Sequence, residues 1–292
     1  MAALSPHAVR HGLLRLAFAV ALMASAGSAV KAAAHRVISI IPATTEMLFA
    51  MGAGDRLIAV GSYDRFPPEV ERLPRVGALI DPSVERILAM RPDLVVMYST
   101  QVELQKQLER AHIPYYPYTH HGLPDVTATI RALGAQVGVE KGANALATKL
   151  ERDIAAISAR VATGPRPETL LVFGREPGTL RNIEASGGEG FLHDMLEAAG
   201  GTDVLRDIHR QSVAVSTEML LSRAPEVIIE LRYAGGADRP DDTAAWNTLP
   251  SVPAVRNHRV YILKGDEFVV PGTRIASATA RLARTLHPEA FK

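Results

Sequence analysis

The sequence contains no cysteine among its 292 residues. This absence excludes disulfide bonds, thiolate metal sites, a cysteine nucleophile and a lipid-modified N-terminal cysteine. An excess of one charge sign is also missing, because 32 Lys and Arg residues stand against 31 Asp and Glu residues. A basic surface for nucleic acid is therefore not indicated. Aromatic residues make up only 5%, with one tryptophan, whereas the 47% hydrophobic and 22% charged fractions are typical of a globular protein.

The first 34 residues lack acidic side chains and have the order of a secretory signal peptide. A basic start is followed by the apolar run Leu13–Ala26 and then by small residues, so that cleavage after Ala29 or after Ala34 is expected. The apolar run is shorter than the roughly 20 residues that span a bilayer, although an uncleaved anchor is the alternative. Removal of residues 1–34 leaves 29 basic and 31 acidic residues. We expect a soluble mature protein in the periplasm.

Short apolar strands alternate with helical patterns along the mature chain, which favours βαβ units and mostly parallel sheets. A long helix is predicted within 143–161, where apolar residues from Leu146 to Val161 share one face. The prediction is an α/β protein with two Rossmann-like lobes joined by one rigid helix, which leaves little room for hinge opening. The expected boundaries are 35–140 for the first lobe, 141–163 for the connecting helix and 164–292 for the second lobe.

Two segments of the chain repeat one pattern at an offset of 133 residues. Ser83–Val96 and Ser216–Ile229 both read Ser-x-Glu-x-apolar-Leu-x-x-x-Pro-acid and then three apolar residues. The pattern predicts a short helix that ends before proline and leads into a buried strand. Glu85 and Glu218 fall in the first helical turn, where they either stabilise the helix N-terminus or form a matched pair of carboxylates for a partner.

The order of several motifs resembles the periplasmic substrate-binding proteins of ABC importers for cobalamin, haem and iron–siderophore complexes. These motifs are the run Arg36–Glu46, the segment Tyr63–Pro68, the repeat, and the run Gly190–Gly201. The resemblance implies two lobes on one long helix with a ligand cleft between them. It also implies that Glu85 and Glu218 dock onto arginines of a membrane permease, which works with ATPase subunits, and that the protein is a monomer.

Cobalamin is the ligand that this resemblance favours, through the Tyr63–Pro68 segment. The expected cleft residues are Ala43, Tyr63, Phe66, Tyr98, Phe173, Arg175, Asp266, Phe268 and Arg274, and no covalent cofactor or bound metal is expected. The sequence also departs from the cobalamin pattern. Leu79 and Ser212 stand where cobalamin binders often have tryptophan, and Val270 replaces a polar residue.

Other ligands and other classes of function remain open at this stage. Haem would use His120 or His121 as an iron ligand, and a ferric siderophore would need a converging set of arginines such as Arg65, Arg175, Arg232 and Arg274. A periplasmic hydrolase is the remote alternative, but the chain has no His-Glu-x-x-His or Gly-x-Ser-x-Gly motif and no phosphate loop, so no enzyme is expected. A zinc or manganese receptor lacks an evident set of three or four ligands.

Overall fold

The computed structural model describes residues 33–233 and 242–292 of the chain. The predicted signal peptide lies outside the described residues, apart from its last two positions. Residues 34–292 form one compact unit. Within the described ranges, none of the helices combines the length and the apolarity needed to cross a bilayer.

The first lobe is built on a four-stranded parallel sheet with the strand order β2-β1-β3-β4. The two central strands of this sheet are buried on both faces, as is usual where helices cover a parallel sheet. The elements are, in chain order, β1 (Val37–Ser39), α1 (Pro42–Ala50), β2 (Leu57–Val60), α2 (Val84–Ala89), β3 (Leu94–Tyr98), α3 (Val102–Arg110), β4 (Tyr115–Tyr118) and α4 (Leu123–Gln136).

A single 22-residue helix, α5 (Glu140–Val161), leads from the first lobe to the second. At 1.5 Å per residue it is about 33 Å long. The helix begins three residues before the predicted start, with its last residue at the predicted position. Its apolar face is the predicted one, since Leu150 and Val161 are buried and Leu146, Ile154 and Ile157 pack against the same core.

The second lobe carries a six-stranded mixed sheet with the order β10-β9-β5-β6-β8, and β7 pairs with β5 outside this path. The pairs that β9 makes with β10 and β5 are parallel, whereas β6 pairs antiparallel with both of its neighbours. The elements are β5 (Glu168–Gly174), β6 (Ile183–Ala185), α6 (Phe191–Ala198), β7 (Thr202–Asp203), β8 (Val213–Val215), α7 (Thr217–Arg223), β9 (Val227–Arg232), α8 (Pro253–Arg256), β10 (Val260–Lys264) and α9 (Ile275–Leu286).

The repeat found in the sequence is a repeat of backbone conformation. Helix α2 leads into β3 and helix α7 leads into β9. Each helix is followed by a residue in the left-handed region directly before proline, with φ of 45° at Arg91 and 46° at Ala224. These two positions are themselves 133 residues apart. One detail differs, because the Ser216 hydroxyl accepts a hydrogen bond from the Met219 amide, whereas the Ser83 side chain makes no capping bond.

The two lobes share a hydrophobic core. The larger buried cluster runs from the first sheet through α5 and α9 to one face of the second sheet. A smaller cluster covers the opposite face of the second sheet around Trp246. Alternation along β5 explains the division, since Leu171 belongs to the larger cluster and Leu170 and Val172 to the smaller.

Candidate ligand-binding site

A cleft of about 220 Å³ lies between the two lobes at the carboxyl ends of their parallel strands. The segments that follow β1 and β2 line it from the first lobe, and the segments that follow β9 and β10 line it from the second. Such strand ends are where ligands bind in open α/β sheets. The lining residues are Pro42, Glu46, Tyr63, Arg65, Phe66, Tyr233, Asp266, Val270 and Arg274.

Three aromatic side chains of this cleft are exposed to solvent. Tyr63 is 60% exposed, Phe66 40% and Tyr233 39%. Large apolar side chains that remain exposed together in a concave site commonly mark a binding surface. Their faces can pack on a flat ligand, and the two tyrosine hydroxyls can form hydrogen bonds at its edge.

The cleft is crossed by a partly buried ion pair between the lobes. Arg274, just before α9, contacts Glu46 of α1 at two points, with Nη2–Oε1 at 2.6 Å and Nε–Oε2 at 3.2 Å. The Arg274 guanidinium also lies 4.4 Å from the centre of the Phe66 ring, which is a cation–π distance. Burial raises the pKa of Glu46 by more than Arg274 lowers it.

A second buried acid, Asp64, lies in the loop that carries Tyr63 and Phe66. It is fully buried, and neither carboxyl oxygen makes a hydrogen bond to a described residue. Burial raises the pKa of Asp64 to about 7, although Thr45 and the Arg75 guanidinium moderate the shift. Arg75 donates to backbone carbonyls instead, to that of Asp64 at 2.7 Å and that of Gly61 at 3.0 Å. The cleft loop is therefore tied down beside an acid with no bonded partner.

The second lobe holds its own buried carboxylate in a complete network. Glu230 at the end of β9 accepts hydrogen bonds from Arg175 Nε at 2.6 Å, Arg232 Nη2 at 2.8 Å and Trp246 Nε1 at 2.6 Å. Arg175 further donates to the Thr179 carbonyl oxygen at 3.0 Å. Its side chain is only 5% exposed. Arg175 therefore organises the lobe and does not reach into the cleft.

The lobes meet again at the β4 end of the first sheet. The Asp194 carboxylate of α6 accepts a hydrogen bond from the Leu123 amide at 2.8 Å, and so caps the N-terminus of α4 from the other lobe. The His120 ring stacks on Tyr118 and meets Phe191 of α6 edge-on, with centroids 5.6 Å and 5.8 Å away. Burial lowers the pKa of His120, which favours the neutral imidazole.

Four of the residues expected at the site come together in the cleft, and the others lie elsewhere. Tyr63, Phe66, Asp266 and Arg274 line the cleft, as does Val270. Ala43 is buried in the first turn of α1, and Tyr98 and Phe173 are partly buried against the core. Phe268 is a core residue in the structure, because its ring points inward from a 3-10 turn and packs beneath the Arg281 guanidinium at 4.6 Å.

Two lining residues, Glu46 and Tyr233, are absent from the set expected on the sequence alone. Glu46 is an acid within the mostly apolar stretch of α1, and an isolated acid in a buried helix usually has a cationic partner. Tyr233 follows β9 by one residue, but the sequence pattern predicts this strand only over Val227–Glu230, so that Tyr233 falls outside its end. Glu85 and Glu218 both lie exposed in the first turns of α2 and α7. Among the described residues, no three His, Asp or Glu side chains are placed to hold a metal ion.

Comparison with known proteins supplies the family. The model of the periplasmic binding protein family matches residues 37–267. A vitamin B12-binding protein of Salmonella choleraesuis is 31% identical over 256 residues, covering 87% of this chain and 91% of that protein. An uncharacterised ABC transporter substrate-binding lipoprotein of Bacillus subtilis, YvrC, is 26% identical over 270 residues, or 90% and 83% of the two chains.

Solved structures show the same fold. The vitamin B12-binding protein BtuF of Vibrio cholerae superposes with a TM-score of 0.75 at 23% identity, covering 89% of this chain and 98% of that one. The haem-binding protein RhuT of Roseiflexus sp. RS-1 gives a TM-score of 0.74 at 24% identity, covering 88% and 99%. The resemblance and the two-lobed α/β fold inferred from the sequence are thus confirmed. The chain belongs to the periplasmic binding protein family, as a substrate-binding protein of the group of ABC importers whose members include vitamin B12-binding and haem-binding proteins.

Proposed function

We propose that this binding protein captures a corrinoid of the cobalamin type in its cleft and delivers it to the membrane permease of an ABC importer. Two features of the cleft carry the proposal. Three aromatic side chains are exposed in it, and Arg274, the arginine that the second lobe contributes to its lining, is already paired with Glu46. A broad, uncharged macrocycle with amide side arms suits such a cleft, because the aromatic faces supply contact area and a few polar groups fix orientation.

The pairing of the arginines argues against an anionic siderophore. Arg175 and Arg232 both contact Glu230, and Arg274 contacts Glu46. A ferric siderophore carries negative charge and is recognised by arginines that converge on the ligand. Three of the four arginines that could form such a cluster therefore contact carboxylates of the protein itself, and Arg65 by itself is not a cluster. The vitamin B12-binding relatives, including one of Yersinia pseudotuberculosis that is 28% identical over 272 residues, support the same ligand class.

Haem is the second candidate, favoured by the environment of His120. Its half-buried ring lies 6.4 Å from the Tyr98 ring, and its neutral form is the one that ligates iron. The similarity to haem-binding structures such as RhuT concerns the fold and does not separate the two ligands.

A titration of the purified mature protein with cyanocobalamin, hemin and a ferric siderophore separates these ligands. We expect saturable calorimetric binding of cyanocobalamin, and a roughly tenfold or greater loss of affinity in Y63A, because a buried aromatic contact contributes about 1–3 kcal/mol. The control is V102A, which shortens another exposed apolar side chain that lies outside the cleft lining. A shifted Soret band with hemin and no response to cyanocobalamin would contradict the corrinoid proposal.

Delivery to the permease is assigned to Glu85 and Glu218, one on each lobe. Both are exposed, and hydrogen bonds from the Glu218 backbone amide and Ser216 lower the pKa of Glu218, which keeps it ionised. Exposed charges of this kind steer and orient an encounter. In E85A/E218A we expect weaker association with the permease–ATPase complex and unchanged ligand affinity. The matched control is E103A/E140A, which removes two other first-turn glutamates; equal loss in the control would assign the effect to helix stability.

A further inference from the structure

Arg274 is the cleft arginine whose charge is balanced directly at the ligand site. It lines the cleft, and its guanidinium contacts both oxygens of Glu46 at 2.6 and 3.2 Å. The two-point geometry uses the Nε and Nη2 donors, which are the ones that recognise a carboxylate in a fork arrangement. A ligand carboxylate would therefore have to compete with Glu46 for these donors.

Glu46 is fixed in this position from the second lobe. Its side chain is 2% exposed, and the backbone of Gly272 approaches it closely. A Cβ atom on Gly272 would stand 2.7 Å from Glu46 Oε2, which is closer than van der Waals contact allows. A side chain at this position would therefore displace the carboxylate, so that glycine suits the observed placement of Glu46 against Arg274.

Glu46 also provides the nearest negative charge for Arg274. The Glu267 carboxylate lies further away, at 3.6 Å, and is shared with Arg281. Arg65, the other arginine of the cleft lining, is exposed and has no acidic partner within 4 Å among the residues that the structure describes. Glu46 thus makes the largest contribution among the carboxylates that offset the charge of Arg274 in the cleft, ahead of Glu267 and Asp266.

We propose that Glu46 is a specificity-determining residue, which keeps acidic ligands out of the cleft by holding the Arg274 guanidinium. The inference rests on the proposed function only in taking this cleft as the ligand site. Ligands without ionised carboxylates enter a cleft whose central charge is balanced. A ligand with free carboxylates gains a charge-assisted contact only after the internal pair is broken, and the energy of that pair opposes binding.

The test compares the wild-type protein with E46Q, which keeps the shape of the side chain and removes its charge. The probes are hemin, which carries two carboxylates, and hemin dimethyl ester, which carries none. We expect E46Q to bind hemin about tenfold or more tightly than the wild type, since the Arg274 guanidinium is then released to form a charge-assisted hydrogen bond with a hemin carboxylate. The affinity for the ester should change by less than about threefold, because the released charge does not attract it.

Three further variants assign the gain to Arg274. E46Q/R274Q should lose the gain for hemin, and D207N, which breaks an exposed two-point pair with Arg223 elsewhere on the second lobe, should show none. G272A, which displaces the Glu46 carboxylate without changing its charge, should also raise hemin affinity and covers the case in which E46Q does not fold. Equal changes for hemin and its ester, or a gain that persists in E46Q/R274Q, would overturn the proposal.

Cyanocobalamin binding to the wild type is measured separately. If it is absent while E46Q gains affinity for hemin, the corrinoid proposal fails and the role of Glu46 stands. If cyanocobalamin binds and a folded E46Q shows no gain for hemin, the role of Glu46 fails and the corrinoid proposal stands.

Discussion

The two lobes bury a carboxylate beside the cleft in opposite ways. Glu230 in the second lobe accepts hydrogen bonds from two arginines and the tryptophan. Asp64 in the first lobe is equally inaccessible and makes no side-chain hydrogen bond to a described residue. A buried charge that is fully paired stabilises one arrangement of its neighbours, whereas a buried acid without partners keeps its proton to a higher pH than usual and titrates near neutral pH. The second lobe is therefore the fixed wall of the cleft, and the first lobe is the wall that responds to pH.

The largest effect is expected from breaking the complete network. E230A leaves the Arg175 and Arg232 guanidinium groups without their shared carboxylate, and we expect the free energy of unfolding to fall by about 3–5 kcal/mol. Chemical denaturation followed by circular dichroism measures this change. D207N, in which an exposed ion pair is broken, should cost no more than about 1 kcal/mol. Similar losses of unfolding free energy in E230A and D207N would contradict the view that the Glu230 network fixes the second lobe.

The next largest effect on stability is expected when the buried acid of the first lobe, Asp64, is replaced by a neutral side chain. The pKa of Asp64 is about 7 in the folded protein and 3.8 as its ordinary value. The unfolded chain therefore releases this proton first, so the contribution of Asp64 to stability is present below pH 4 and is lost as the pH rises to about 7. D64N lacks this titration. The difference in free energy of unfolding between D64N and the wild type should therefore shift in favour of D64N by roughly 2–4 kcal/mol from pH 5 to pH 8. Parallel pH profiles of denaturation for the two proteins would contradict it.

Arg75 offers a smaller test of the same wall. Its guanidinium bonds the backbone carbonyls of Gly61 and Asp64 and lowers the pKa of the Asp64 carboxyl. R75Q should cost about 1–2 kcal/mol of stability through the loss of two hydrogen bonds to a charged donor. It should also move the pH midpoint of the stability profile upward, because one of the influences that lower the Asp64 pKa is gone. An unchanged midpoint would show that Arg75 does not influence the pKa of Asp64.

The smallest effect is expected where the lobes meet away from the cleft. D194A removes the carboxylate that caps α4 from the second lobe, and a lost cap costs about 0.5–2 kcal/mol. The loss should differ little between pH 6 and 8, because the cap does not involve Asp64 and Asp194 is the smallest of the influences that raise the pKa of His193. Thermal unfolding of the variant at both pH values measures this, and a loss that grows from pH 6 to pH 8 would indicate that the two contact regions are coupled.

Local patterns were enough to predict most of the fold. The short apolar runs Leu57–Val60 and Leu94–Tyr98 predict β2 and β3 with their observed bounds, and the apolar face within 143–161 predicts most of α5. No sequence pattern predicts β6 and β8, because three residues carry too little periodicity to stand out from a loop. Their antiparallel pairing depends on contacts between distant parts of the chain, which sequence patterns do not record.

The cleft was predictable only where a motif identified it. Tyr63 and Phe66 belong to such a motif, and Arg274 lies in the segment that resembles a cleft loop. The pairing of Arg274 with Glu46 joins residues 228 positions apart, so spacing could not reveal it. Phe268 shows the opposite error, since a segment can line a cleft while one of its side chains points into the core. Whether Arg175 faces ligand or protein likewise depended on Glu230, which lies on another strand.

The position of Trp246 has a consequence for spectroscopy. It is the single tryptophan of the chain, and its indole is fully buried on the face of the second sheet that is remote from the larger core. Its fluorescence therefore reports the intactness of the second lobe, and solvent quenchers should barely reach it. A coloured ligand in the cleft would change the emission through energy transfer across space, and a colourless analogue bound equally well would leave it nearly constant.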